Sequence, residues 1–284
     1  MRYVTYELAG ERRIGRIEGD LVQPLEGPAE LGRDTPADVL ATLVPMGAPV
    51  ARASVRLLPV VPRPDKIFCV GLNYHAHVEE TGRELPAYPV LFTKFTGSLI
   101  GPADDIVLPP ESRQVDYEAE LVVVIGKAGR RIARDAALDH VLGYTVANDV
   151  TMRDFQYKTH QWLQGKAWDR STPLGPELVT PDEADVAAAT VRTVLNGETL
   201  QSSDTSKLIF DIPTLVATVS EFTEILPGDL ILTGTPGGVG HRRDPQVFLL
   251  DGDEVVVEVG GIGRLANRVR AEAPALVTSP AWSA

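Results

Sequence analysis

The sequence predicts a β-rich α+β fold, and three observations carry that expectation. From Lys66 onward the chain is built of short segments rich in Val, Ile, Thr and aromatic residues: KIFCVG, VLFTKF, YEAELVVVIG, GYTVANDV, TVRTVLNG, DLILTGT and DEVVVEVGGIGRLANRV. Gly, Pro, Asn or Asp punctuate them, as expected for strands separated by tight turns. They do not alternate with helices in a regular way, which argues for a mixed β-rich domain over a doubly wound parallel sheet. Third, the connector Pro59–Pro64 (PVVPRP) can continue neither a helix nor a central strand and marks a boundary. Two units are expected: a small N-terminal one over residues 1–62 and a larger one over 63–284.

In the first unit, RYVTYEL reads as a strand, Ala9 and Gly10 as a turn, RIGRI as a second strand and Gly19-Asp20 as another turn. A helix is expected from about Pro36 to Leu43. Thr35 would cap it, and Pro36 would sit in the first turn, where its missing N–H costs nothing. There is no internal repeat and no low-complexity tract, and the ending SPAWSA reads as a loose tail.

With 284 residues the chain can bury a substantial core. Its 27 Lys and Arg against 39 Asp and Glu give a net charge of −12. A nucleic-acid partner or an anionic lipid surface would meet repulsion. An anionic small molecule is not excluded, because a few buried cations or a metal ion can reverse the local field. Cys69 is the one cysteine, so no intrachain disulfide can form. Apolar runs such as Leu121–Ile125 fall far short of the ~20 residues a membrane helix requires. The opening MRYVTYELAG carries Glu7 and lacks the continuous apolar stretch of a signal peptide. A cytoplasmic location with no membrane contact is the expectation.

The most informative stretch is DYEAELVVVI, residues 116–125. Side chains two apart in a strand share a face, so Glu118 and Glu120 would stand side by side, with Asp116 as a further neighbour. An E-x-E pair at a strand end more often simply meets water. Taken into an interior, such carboxylates repel, and a hard divalent cation with oxygen ligands neutralises them. The segment GYTVANDVTMRDFQ shifts the balance toward the second reading. Asp149 ends an apolar strand and can supply a third carboxylate, and Arg153 and Gln156 follow on one face of a helical turn. Three carboxylates with waters suit Mg²⁺ or Mn²⁺. Arg153 taken alone reads as an ordinary salt-bridge arginine.

In GLNYHAHVEET, His77 and Glu80 lie three apart, so one helical turn would let the carboxylate hold the imidazole and raise its basicity. His75 competes for that role, and such a pair seen alone is more often a surface contact. Other features are discounted. TGTPGGVG lacks the Lys-Ser/Thr of a phosphate loop and the helix of a dinucleotide fingerprint, and reads as a tight loop whose backbone approaches a ligand. Ser98, Ser171 and Ser203 lack the G-x-S-x-G setting of a nucleophile. The absence of CxxC and HExxH argues against zinc or an iron–sulfur cluster. Cys69, between Phe68 and Val70, reads as a small buried apolar residue.

Seven segments in order resemble the fumarylacetoacetate hydrolase family: KIFCVGLNYHAHVEE, PVLFTKFTGSLIGP, DYEAELVVVIG, GYTVANDVTMRDFQ, WLQGKAWDRSTPLGP, LNGETLQ, and LPGDLILTGTPGGVG with DGDEVVVEVGGIGRLANRV. The likeness spans about Lys66 to Val269. It implies a mixed β-sandwich roll with a small N-terminal α/β domain, one Mg²⁺ or Mn²⁺ per subunit, a homodimer, and action on 2-oxo or 2,4-dioxo acids. Carried over by motif, Glu118, Glu120 and Asp149 would be the metal ligands and His77 with Glu80 the acid/base pair. Lys166 and Gln156 would steady an oxyanion, and Arg153 would hold a substrate oxygen. Lys94 and Thr235 fall in matching segments as further substrate contacts.

Three functions remain in view. The first is hydrolysis of a C–C bond in an acylpyruvate, with His77 activating water and a pyruvate enolate departing. The second is isomerisation of a 2-hydroxydienoic acid or decarboxylation of an oxaloacetate-like acid at the same site. The third is a non-catalytic descendant that only binds a metal or ligand, which would have no need of a general base. The segment TGRELPAYP, residues 81–89, is expected to close over the far end of the substrate and set its specificity.

Overall fold

The computed structural model describes residues 1–273. The tail SPAWSA lies outside the described residues. The chain is strand-rich, and two sheets dominate it. The larger runs, in order, through Val50–Ala51, Leu21–Pro24, Glu11–Glu18, Arg2–Leu8, Thr172–Val179, Val141–Asn148, Ala119–Ile125, Leu230–Leu232, Ile67–Gly71 and Val90–Thr93. The smaller runs through Glu198–Asp204, Thr190–Leu195, Glu254–Val259, Gly263–Ala271 and Ile106–Leu108. Most pairs are antiparallel, but Leu230–Leu232 runs parallel to Ile67–Gly71, so the large sheet is mixed.

The strand Ala119–Ile125 shows why the sequence reads here as an unbroken apolar run. Leu121, Val123 and Ile125 turn toward the smaller sheet and pack with Val191, Val257, Val259 and Leu265, and with Leu215, Val216 and Val219 of the helix Ile212–Phe222. Val122 and Val124 face the other way, into a second core with Leu142, Leu174 and Leu178 that Leu31, Leu40, Val60 and Val61 cover. Both faces of the strand are therefore buried, and alternation disappears. Each fully buried Leu, Ile or Val side chain contributes about 1.5–3 kcal/mol of transfer free energy.

The first strand, Arg2–Leu8, joins the same large sheet by pairing with Thr172–Val179. The expected helix of this region is shorter than its sequence suggests. It covers Ala37–Leu40, and Thr35 does not cap it. The Thr35 hydroxyl instead closes a turn, accepting from the Gly32 N–H at 2.8 Å and bonding the Gly32 carbonyl at 3.1 Å. A local side-chain turn has out-competed the cap. The helix Ile212–Phe222 has the cap that the shorter one lacks, the Asp211 carboxylate accepting from Thr214 N–H at 3.0 Å. Among the described residues no helix is long and apolar enough to cross a membrane.

Candidate active site

The pairing of two central strands brings the acids together. Ala119–Ile125 and Val141–Asn148 are antiparallel with Ala119 opposite Asn148, so Glu118 before one strand and Asp149 after the other meet at the same end. The Asp149 N–H donates to the Glu118 carbonyl at 2.9 Å. One carboxylate oxygen from each of Glu118, Glu120 and Asp149 lies within 4.8 Å of the others, and all three residues are buried.

Glu118 itself is not in the strand, as its E-x-E spacing suggested; it falls in the break between Val115–Asp116 and Ala119–Ile125. Three successive backbone N–H groups there bond to side-chain oxygens instead of a neighbouring strand. Tyr117 donates to Asp116 Oδ1 at 2.9 Å, Glu118 to Asn148 Oδ1 at 2.9 Å and Ala119 to Gln201 Oε1 at 3.0 Å. Side chains acting as backbone partners interrupt the ladder and still aim both glutamates at one point.

Buried cations brace these acids. Lys166 Nζ lies 2.6 Å from Glu118 Oε2 and 2.7 Å from Asp149 Oδ2. Lys94 Nζ donates to Asp149 Oδ1 at 2.7 Å and to the Val150 carbonyl at 3.0 Å. Arg153 places Nε 2.8 Å from Asp116 Oδ2, Nη2 2.6 Å from Glu118 Oε1, and Nη1 2.9 Å from Gln156 Oε1. Asp116, Glu118 and Asp149 thus each have a cationic partner, and Glu120 has none among the described residues. Its one hydrogen bond comes from the Gly234 N–H at 2.7 Å.

The proton affinities follow this imbalance. Burial raises the Glu120 carboxyl, and the charges of Asp149 and Glu118 push it further, well above the usual range. Burial acts on Glu118 in the same direction, but Lys166 and Arg153 outweigh it and hold that carboxyl down at about 2. Lys166 and Arg153 are in turn raised, their carboxylate partners overcoming the cost of burial. The site has the composition a divalent cation relieves: hard oxygen donors converge, and the carboxylate without a counter-charge is among them. Glu118, Glu120 and Asp149 are the residues that would hold it.

His77 stands beside this group on the helix His75–Thr81. Its Nδ1 lies 2.6 Å from Glu80 Oε1, and Glu80 Oε2 accepts the Gly238 N–H at 2.7 Å. The imidazole is thereby fixed, leaving Nε2 free to exchange a proton. His75 is exposed and does not line the cleft; His77 does.

The glycine-rich loop acts through its main chain. Gly234 N–H binds Glu120, Gly238 N–H binds Glu80, and Gly240 and His241 N–H bind Asp116 at 2.8 and 3.0 Å. Gly234 and Gly238 have φ of 102° and 100°, and a Cβ at Gly238 would stand 2.3 Å from the Leu200 carbonyl. Only glycine fits there.

One cleft receives His77, Glu118, Glu120, Arg153, Gln156, Lys166 and Thr235 together. Lys94 is buried behind Asp149 and does not reach its surface. Cys69 is fully buried in the core. The residue that sequence reasoning passed over is Gln201. Besides Ala119 it binds Thr193 Oγ1 at 2.7 Å, and it donates to Thr235 Oγ1 and the Pro236 carbonyl, each at 2.8 Å. The available signal was a buried polar residue beside Leu200 in a strand reached through an Asn196-Gly197 turn.

Fold and site together define a β-rich domain in which His77, Glu118, Glu120, Arg153 and Lys166 line one cleft, with Glu80 and Asp149 in contact with them. The family model described as Fumarylacetoacetate (FAA) hydrolase C-terminal matches residues 66–270, and one described as Rv2993c-like, N-terminal matches residues 1–59. The chain belongs to the fumarylacetoacetate hydrolase family. It is 47% identical over 232 residues to an oxaloacetate tautomerase Fahd2a, mitochondrial, of Rattus norvegicus, covering 81% of this chain and 73% of that protein. Two solved structures covered in full by 96% of this chain, each with a TM-score of 0.83, are a 5-carboxymethyl-2-hydroxymuconate delta-isomerase from Mycobacterium smegmatis, 36% identical, and a 2-hydroxyhepta-2,4-diene-1,7-dioate isomerase from Mycobacterium marinum, 33% identical. Enzymes of this family generally use a divalent metal ion.

Proposed function

We propose that this chain is an enzyme that moves a proton on a 2-oxo dicarboxylic acid, interconverting its keto and enol forms, with Mg²⁺ or Mn²⁺ held by Glu118, Glu120 and Asp149. The observation that carries this reading is a single cleft lined by His77, which Glu80 holds, and by Glu118 and Glu120, whose carboxylates converge with that of Asp149. The relatives support it by name, as a tautomerase of oxaloacetate and as isomerases of a dioate and a carboxymethyl muconate.

When bound, a divalent cation would polarise the 2-oxo group and make the neighbouring C–H more acidic. His77 Nε2 takes that proton and returns it at carbon or oxygen, while Glu80 keeps the tautomer and stabilises the imidazolium. Lys166 supplies positive charge where the substrate oxygen becomes negative. Arg153 and Gln156, braced against Asp116 and each other, hold a carboxylate of the substrate. Val70, Leu72, Phe92 and Trp162 line the cleft and limit water.

The test follows enol decay of oxaloacetate by ultraviolet absorbance, using protein stripped with EDTA and reconstituted with Mg²⁺ or Mn²⁺. Acceleration is expected only after reconstitution. No acceleration with either ion would overturn the reading. Hydrolysis of an acylpyruvate is a second reading, favoured by Lys166 and Gln156 lining the cleft as two donors for a tetrahedral oxyanion. Acetylpyruvate in the same assay separates the two. A cytoplasmic setting and a homodimer belong to the same proposal; cell fractionation and sedimentation velocity test them.

A further inference from the structure

We infer that Arg83 is the residue that reads the far carboxylate of the substrate and so sets a preference for dicarboxylic over monocarboxylic 2-oxo acids. This rests on the reading of the cleft as a 2-oxo acid site.

The cleft has two differently charged ends. Its floor carries Glu118 and Glu120 with Lys166 and Arg153, while its outer wall carries Arg83, His241 and Arg242 with no acidic residue opposite. Neither Arg83 nor Arg242 has an ion-pair partner among the described residues, in a chain where acids outnumber bases 39 to 27. Two unpaired guanidinium groups facing one cleft favour an anion at that end.

Arg83 is the better anchored of the two. Its guanidinium lies over the Trp162 ring, 5.4 Å from the centroid. Trp162 packs edge-on against Phe92, with centroids 5.5 Å apart, and rests on Gly71, where a Cβ would meet the ring at 2.4 Å. A guanidinium held over an indole ring keeps N–H donors available for a carboxylate. Gly82, with φ of 65°, ends the helix His75–Thr81 in the left-handed conformation and turns the chain so that Arg83 borders the cleft. One short helix and its C-terminal turn thus carry both the proton-transfer histidine and the residue that reads the substrate's distant end.

The experiment measures exchange of the C3 hydrogens into D₂O, by NMR, for oxaloacetate and for 2-oxobutanoate, in which a methyl replaces the far carboxylate. It uses the Mg²⁺-reconstituted full chain and the variants Arg83→Gln and Arg83→Lys, each checked for folding by circular dichroism. The wild type is expected to prefer oxaloacetate in kcat/KM. Arg83→Gln should reduce that preference by about tenfold to a hundredfold, the weight of one charge-assisted hydrogen bond. Arg83→Lys should keep part of it, because it retains the charge and loses the planar fork. Parallel loss of both substrates in Arg83→Gln would overturn the inference, as would a wild type without preference. A wild type that exchanges neither acid would remove the proposed function, and this inference with it.

Discussion

At and beneath the floor of the cleft Asp116, Glu118 and Asp149 have both carboxylate oxygens engaged by lysine, arginine or backbone N–H groups, whereas at the rim Arg83 and Arg242 stand exposed, and Arg83 is steadied by one indole ring. The floor is held by groups that lost their water when the chain folded. Its geometry is set before any substrate arrives, which suits charge that develops during reaction. The rim is still hydrated and pays its ordering cost only on binding, which suits discrimination between ligands. Chemistry is thus placed where the protein is stiff, and selection where it can adapt.

If that contrast is right, the floor should fail in large steps. Glu118→Gln should abolish both activity and the stabilisation that Mn²⁺ confers. In the wild type that stabilisation is about 2.7 kcal/mol at a hundredfold excess over Kd. Thermal melts with and without Mn²⁺ check it, and an unchanged Mn²⁺ shift would show that the ion binds elsewhere. His77→Asn should slow proton transfer by about 10²–10⁴-fold while leaving the Mn²⁺ shift intact. A variant with full activity would move the base away from this helix.

Lys166→Met should lower the rate by about 10²–10³-fold. In metal-free protein it should also cost about 3–5 kcal/mol in urea unfolding, because two buried carboxylates lose a counter-charge. Wild-type stability in that variant would mean Lys166 is not the brace its contacts describe. Gln201→Ala should have the smallest effect, about 1–3 kcal/mol of stability from orphaned donors and acceptors around Ala119 and Thr235. Its Mn²⁺ affinity should fall modestly, since the backbone beside Glu120 loses its side-chain anchor; calorimetry measures this.

The floor was largely legible in the sequence. Carboxylates at Glu118, Glu120 and Asp149 interrupt apolar segments and His77 and Glu80 have helical spacing, but taken alone each pattern reads more readily as a surface feature, and the resemblance to a known family is what tied them into one site. What spacing could not show was the means of support. Asp116 reaches Gly240 and His241 across 124 and 125 positions, and Gln201 reaches Ala119 across 82. Such contacts follow from sheet order, which no local pattern encodes. The same limit explains Thr35, whose cap-like position gave no warning that a turn with Gly32 would claim its hydroxyl. At the rim the sequence predicts a loop over residues 81–89 that closes on the far end of the substrate and sets its specificity, but it does not single out Arg83, because an exposed arginine looks alike on any surface until the indole beneath it is seen.

The glycine-rich loop grips the acids with amide hydrogens, and amide hydrogens belong to every residue but proline. The hold on Glu120, Glu80 and Asp116 therefore passes through the main chain, so long as the left-handed turns keep their glycines, while within the same loop the side chains of Thr233 and Thr235 bond the Leu121 carbonyl and Gln201. A proline at position 240 would remove the N–H that Asp116 Oδ1 accepts at 2.8 Å. The most durable part of this site is written in the polymer itself.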